Sequence, residues 1–224
     1  MEKIGIGDLT FYRFESEFVG TNMYLAIANG EALIVDPHFD EEADAMLAGV
    51  SKATVFLTHE HPDHTVGIPW LKEKFPVTVV CSKKCAETIA VEKNNRPYLM
   101  TFVLAQQDEQ NGTHLSEKFA ETVRPFTCIA DAVFDDEMSY VWQGFNFNFK
   151  RAPGHSKGGG LIYFGSEAVF TGDNLILNTP AITRFPGGSQ RDFETQTKPL
   201  LDALLSGTLI LTGHGAVFKK GTAI

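Results

Sequence analysis

The feature that most restricts this chain is a short apolar run, Thr54–Leu57, that passes directly into Thr58-His59-Glu60-His61-Pro62-Asp63-His64. Three imidazoles and the Asp63 carboxylate lie within six residues, at the exit of what reads as one buried strand. In an extended segment residues 59, 61 and 63 share one side, because side chains alternate, and His64 breaks the alternation. One metal cannot easily take all four groups from so short a piece. Two neighbouring metals can, one through His59 and His61, the other through Asp63 and His64. Imidazole and carboxylate suit zinc, and also iron or manganese.

Three later residues have the same setting, each on a loop after a strand-like run. His155 lies in Pro153-Gly154-His155-Ser156-Lys157-Gly158-Gly159, Asp173 in Thr171-Gly172-Asp173-Asn174, and His214 in Thr212-Gly213-His214-Gly215. The glycines permit tight turns and close backbone approach, which would aim each side chain into a cleft. Counting donors gives a full set: His59, His61 and His155 on one metal, Asp63, His64 and His214 on the other, and Asp173 bridging. Five of the seven histidines are used in this way. His38 follows a strand end near the same cleft, and His114 lies in a polar stretch and reads as solvated. Ser156 needs no role as a nucleophile, since its neighbourhood is explained by the metal loop.

Along the chain, short apolar runs alternate with turn signals. Strands are expected at Thr10–Phe18, Met23–Ile27, Ala32–Val35, Thr54–Leu57 and Thr78–Cys81, with Asn29-Gly30 as a hairpin turn. Further strands are expected at Ser139–Trp142, Phe145–Lys150, Leu161–Phe164, Ala168–Thr171 and Thr208–Leu211. Helices are expected at Asp40–Ala48, Ile68–Lys74, near Lys84–Lys93, and at Phe193–Leu205. Both end sections share one rhythm of strands, a helix, and a strand running into a His-bearing loop, which points to two similar halves with helices outside. The stretch from about 94 to 136 is polar, with helical pieces and no strand alternation. It reads as a helical insertion on a single domain spanning 1–224.

Composition narrows the partners. Lys plus Arg number 19 against 28 Asp plus Glu, a formal charge of -9, which argues against nucleic acid or an anionic membrane and for a small-molecule substrate. No apolar run reaches the roughly 20 residues that span a bilayer. The first residues do not read as a signal peptide, and three sparse cysteines (Cys81, Cys85, Cys128) fit a reducing compartment, so a cytoplasmic location is expected. The pattern leaves the oligomeric state open.

On these residues the sequence resembles the metallo-β-lactamase-fold hydrolases, whose signature is His-x-His-x-Asp-His followed by His, Asp and His on later loops. All seven positions match in order, over nearly the whole chain outside 94–136. The resemblance implies an α/β fold, a four-layer αββα sandwich with a dinuclear metal site at the edge between the sheets. Thr21-Asn22-Met23-Tyr24-Leu25 resembles the family's early strand, and Val35-Asp36-Pro37 its Asp-bearing turn, which assigns Asp36 to orienting the ligand loop.

The carboxylate at Asp173 resembles the glyoxalase II-like thioesterases and lactonases, since β-lactamases of this fold usually lack it. His61 stands where flavodiiron oxygen reductases place Glu, which favours hydrolysis. Ile182–Ser189 is similar to a segment of small glyoxalase II-like proteins. Only ten residues follow His214, so the C-terminal helical part with which glyoxalase II proper binds glutathione is expected to be missing. The resemblance thus implies a metal-dependent hydrolase with two divalent ions, zinc first, that cleaves a thioester or ester-like bond with a metal-bridging hydroxide. Asp63 and Asp173 would orient water or relay a proton. Tyr98, Arg96, Arg124 and Arg184 are candidates for substrate contact. The alternatives are a lactonase of the same fold, a persulfide dioxygenase-like iron enzyme, and a non-catalytic metal-bound sensor or binding module.

Overall fold

A computed structural model of the chain describes residues 1–95 and 98–221, without the side chains of 98 and 99. The alternating runs form strands, because period-two patterning gives each strand one face to bury. β1 (Glu2–Ile6), β2 (Leu9–Glu15), β3 (Asn22–Ala28) and β4 (Glu31–Val35) make an antiparallel meander. The β3–β4 hairpin turns at Asn29 and Gly30, with φ of 50° and 76°, the two positive values that a tight twisted hairpin needs. β5 (Lys52–Phe56), β6 (Val77–Ser82) and β7 (Ala132–Phe134) extend the sheet in parallel, giving seven strands in order β1 to β7.

The second sheet holds β8 (Glu137–Trp142), β9 (Phe145–Arg151), β10 (Gly160–Phe164), β11 (Ala168–Gly172), β12 (Leu209–Thr212) and β13 (Phe218–Lys219). Its order is β13-β12-β11-β10-β9-β8. The sheets face each other across an aromatic layer that includes Phe11, Tyr24, Phe56, Phe147, Phe149 and Phe170. Phe56 meets Phe149 edge-on with ring centres 4.8 Å apart, a favoured aromatic geometry.

Helices cover both outer faces. Against the first sheet lie α1 (Glu41–Met46), then α2 (Pro62–Thr65), α3 (Ile68–Lys74) and α4 (Lys83–Ile89), and buried Ala43, Leu71, Cys85 and Ile89 join that sheet's outer core. Against the second lies a run through α7 (Gln190–Asp192), a π-helical turn (Phe193–Thr197) and α8 (Lys198–Asp202), which buries Leu201 on Leu161, Val169 and Ile210. The result is the expected four-layer αββα sandwich. All three cysteines are buried and free. Among the described residues no helix is long and apolar enough to cross a membrane.

The helical pieces between 94 and 136 are α5 (Tyr98–Asn111) and α6 (Leu115–Thr122). The chain returns to the core before residue 136: Cys128 is buried in the outer core, and Ala132–Phe134 pairs with β6 as an edge strand. Three residues are too few for alternation to show in the sequence. The expected all-extended metal motif also differs. Pro62 stands at the first position of a helical turn, where its fixed φ is favourable, so Asp63 and His64 sit side by side on α2.

Strand direction sets the site. β4 and β5 are parallel, β11 and β12 are parallel, and β9 runs with β11 because both are antiparallel to β10. The loops carrying Asp36, residues 58–64, His155, Asp173 and His214 each leave the C-terminal end of one of these strands. Backbone bonds knit the ends together: Gly160 N–H donates to Thr58 O (2.8 Å), Asn22 N–H to Gly213 O (2.7 Å), and Gly213 N–H to Gly172 O (2.9 Å).

Candidate metal centre

The seven sequence-selected side chains converge. His59, His61 and His155 form one group whose donor atoms lie within 4.8 Å of one another, and Asp63, His64 and His214 form another. Asp173 touches both. Its Oδ2 lies 3.4 Å from His155 Nε2 and 3.5 Å from His214 Nε2, and its Oδ1 lies 3.4 Å from His64 Nε2. Asp63 Oδ2 lies 3.2 Å from His214 Nε2 and 3.3 Å from His64 Nε2.

Each ring is fixed by its far nitrogen. His59 Nδ1 is 3.1 Å from the Thr58 hydroxyl, His64 Nδ1 is 3.0 Å from Asp36 Oδ2, His155 Nδ1 is 2.7 Å from Ile182 O, and His214 Nδ1 is 3.1 Å from Val19 O. Each Nδ1 thereby acts as donor, which leaves the Nε2 lone pair facing the centre. His61 turns the other way, its Nδ1 lying 3.0 Å from His155 Nε2.

His59 Nε2, His64 Nε2 and Asp173 Oδ1 are buried polar atoms with no hydrogen-bond partner. Such atoms are costly unless something satisfies them. Two nitrogen lone pairs and a carboxylate oxygen aimed at one another fit a cation, and the histidine-rich donor set fits zinc-type ions.

Electrostatics agree. Burial, reinforced by His64, His61 and His155, holds His59 well below the usual imidazole range, which keeps its lone pair free. Burial alone would push Asp63 and Asp173 up, but the surrounding imidazoles overcome it and hold both carboxyls low, so both are ionised. Burial likewise opposes charge on His64, yet Asp63, Asp173 and Asp36 together raise it well above its ordinary value.

The supporting residues explain the precision. Asp36, in a strained left-handed conformation (φ 54°), accepts from Thr58 N–H (2.8 Å) and the Thr58 hydroxyl (2.6 Å) as well as from His64. It therefore orients both His59, through Thr58, and His64. Gly213 has no substitute: a Cβ there would collide with Asp173 and stand 2.8 Å from the Gly172 carbonyl carbon.

Sequence reading missed four contributors. Thr21 donates its hydroxyl to Asp63 Oδ2 at 3.0 Å. Glu60, buried between His59 and His61 in the chain, accepts from the Ser156 hydroxyl (2.9 Å) and from Gly158 N–H (3.1 Å), which latches the His155 loop to the main motif. Asn22 donates to Thr212 O (3.0 Å) and Gly215 O (2.9 Å), which shapes the His214 loop. Phe185 stands over the mouth, its ring centre 6.1 Å from His61 and 6.3 Å from His155. Only Asn22 and Glu60 carried a signal, as polar residues inside otherwise apolar or ligand-bearing strand ends.

The remaining candidates fare differently. Arg184 is exposed, with its guanidinium 6.0 Å from the Phe185 ring, so it flanks the mouth. Arg124 donates to Ala120 O and Val123 O at the end of its own helix. Arg96 and the Tyr98 side chain lie outside the described residues. His38 is buried, each ring nitrogen facing a backbone carbonyl, and His114 is exposed as expected.

The chain is similar to several known proteins. The family model for the metallo-beta-lactamase superfamily matches residues 17–214. A probable metallo-hydrolase of Streptococcus pyogenes serotype M6 is 24% identical over 214 residues, covering 92% of this chain and 84% of its own length. Among solved structures, BLEG-1 B3 metallo-beta-lactamase superposes with a TM-score of 0.68 at 23% identity, covering 93% of both chains. TTHA1623 in a di-iron-bound form gives 0.64 at 20% identity, covering 93% of this chain and 94% of its own. At these identities the structures establish the shared fold.

Proposed function

Because the chain belongs to the metallo-beta-lactamase superfamily, we propose that it is a metal-dependent hydrolase of the glyoxalase II-like kind, cleaving a thioester or related ester of a small molecule. The observation that carries this reading is Asp173. Its two oxygens reach both three-residue donor groups at once, so this one carboxylate could serve two cation positions. His59, His61 and His155 would hold one ion, and Asp63, His64 and His214 the other. Two divalent ions, zinc first with iron or manganese as alternatives, would acidify a water toward neutral pH and polarise a carbonyl oxygen.

The chain's own residues supply the rest. Asp63 Oδ2, fixed by the Thr21 hydroxyl, is placed to orient the attacking water and take its proton. Asp173 is the second ionised carboxylate within reach. Phe185, exposed beside His61 and His155, offers an apolar ring for substrate at that face. Ser156 is fully buried and donates to Glu60, so it serves the scaffold and does not attack substrate.

The test is a side-by-side hydrolysis screen of the zinc-loaded protein with acyl thioesters, homoserine lactones and a cephalosporin, before and after chelation. Thioester cleavage should be fastest and should vanish on chelation. Cleavage that survives full metal removal, or lactones turned over faster than every thioester, overturns the reading.

A further inference from the structure

A cavity of about 760 Å³ opens beside the metal centre, with Asp63 in its wall. That volume suits a drug-sized ligand. Its remaining walls come from the β2–β3 loop, the start of α1, α3, and the helical segment carrying α6. The cavity therefore lies where the non-reacting part of a substrate would rest.

Its lining combines two aromatic corners with an acidic rim. Phe18 packs edge-on against Phe119 at 5.1 Å, and Phe39 against Trp70 at 5.5 Å. The lining holds seven carboxylates, Glu15, Glu17, Asp40, Glu41, Glu42, Asp63 and Glu73, against two cations, Lys118 and Arg124. Both cations are engaged. Lys118 is 2.6 Å from Glu17, and Arg124 is bound to the carbonyls of its own helix end. Among the described residues of the lining, carboxylates therefore outnumber cations and leave the wall net acidic. Among the described residues Glu41 and Glu73 have no cation partner there, and Glu73 stands one turn from Trp70 on α3.

Resting on the hydrolase reading, we propose that this cavity selects substrates by charge and ring size. It accepts thioesters or esters whose non-reacting part is aromatic and neutral or cationic, and it rejects anionic carriers. Aromatic faces bordered by carboxylates attract an organic cation through the ring quadrupole and the rim charge together. The same rim repels the carboxylates of glutathione and the phosphates of coenzyme A. The acidic balance of the whole chain thus has a local counterpart at the site's entrance.

Two measurements test this. The first compares kcat/KM of the zinc-loaded protein for one phenylacetyl group carried on thiocholine, on N-acetylcysteamine, on glutathione and on coenzyme A. The cationic and neutral carriers should exceed the anionic ones by about tenfold or more. Phe39→Ala should reduce the preference for phenylacetyl over acetyl, and Glu73→Lys should raise the relative rate on anionic carriers about threefold. Anionic carriers hydrolysed as fast as the neutral one, with Glu73→Lys leaving the ratio unchanged, overturn the proposal while the hydrolase reading stands.

The second measurement needs no turnover. Benzyltrimethylammonium and phenylacetate are titrated against tryptophan fluorescence, with Trp70→Phe as the control that removes the cavity signal. The cation should bind at least several-fold more tightly than the acid. Such binding without hydrolysis of any thioester would sink the hydrolase reading alone. Equal binding of the two, or a response unchanged by Trp70→Phe, overturns the cavity assignment.

Discussion

Asp36→Asn isolates the role of one buried carboxylate without changing its size. In the native protein Asp36 Oδ2 receives both the Thr58 hydroxyl at 2.6 Å and His64 Nδ1–H at 3.0 Å, while Oδ1 receives Thr58 N–H at 2.8 Å. An amide can keep the Oδ1 bond, but its NH2 then faces two donors. His64 can relieve the clash only by moving its proton to Nε2, the atom aimed at Asp63 and Asp173. That tautomer has no lone pair for a metal. Loss of such an outer hydrogen bond typically costs about 10–100-fold in metal affinity. The larger loss should fall on the position formed by Asp63, His64 and His214, which Asp36 contacts directly, while His59 is disturbed only indirectly, through the Thr58 hydroxyl. Metal content after dialysis against a zinc buffer should fall from two ions per chain toward one. Loss of one buried charge-assisted bond should also lower apo stability by about 1–3 kcal/mol, or about 2–12 °C in Tm for a chain of this size. Two ions retained at native affinity, with an unchanged melting curve, would refute the claim that Asp36 sets the tautomer of His64.

Other perturbations probe separate parts of the site. Asp173→Ala should lower metal occupancy and hydrolysis together, because the oxygens shared by both groups are removed; full rate at full occupancy would exclude a bridging role. Glu60→Ala should strand the Ser156 hydroxyl and Gly158 N–H, at about 1–3 kcal/mol for each buried group, and a thermal melt of the metal-free protein reads this directly. Gly213→Ala should cut metal content severely, since its Cβ must displace Asp173; quantitative metal analysis of the soluble protein decides it. Against the opposing effect of burial, the carboxylates around His64 and His214 shift both imidazoles upward, so each holds a proton more readily than a free imidazole does. Zinc uptake should therefore release protons in weakly buffered solution and should weaken as pH falls. Uptake with no proton release would contradict that assignment.

The candidate metal-binding side chains were legible in the sequence. Donor type is a property of the residue, and strand exits are marked by an apolar run ending in glycine or proline, so His59, His61, Asp63, His64, His155, Asp173 and His214 could be picked out one loop at a time. The hairpin at Asn29-Gly30 and the helix at Ile68–Lys74 were equally local. Where the local signal was short it failed: three residues of β7 show no alternation, and Pro62 turned an extended-looking motif into a helical turn. Tertiary structure alone decided which donors share a position, since His155 meets His61 across 94 residues of chain. It also decided the supports. Glu60 reaches Ser156 across 96 residues, Thr21 reaches Asp63 across 42, and the acidic aromatic cavity is assembled from segments with no common pattern. Periodicity and residue chemistry act within a few residues, whereas a buried hydrogen bond or a cavity wall exists only once packing has brought distant segments within about 3 Å of one another.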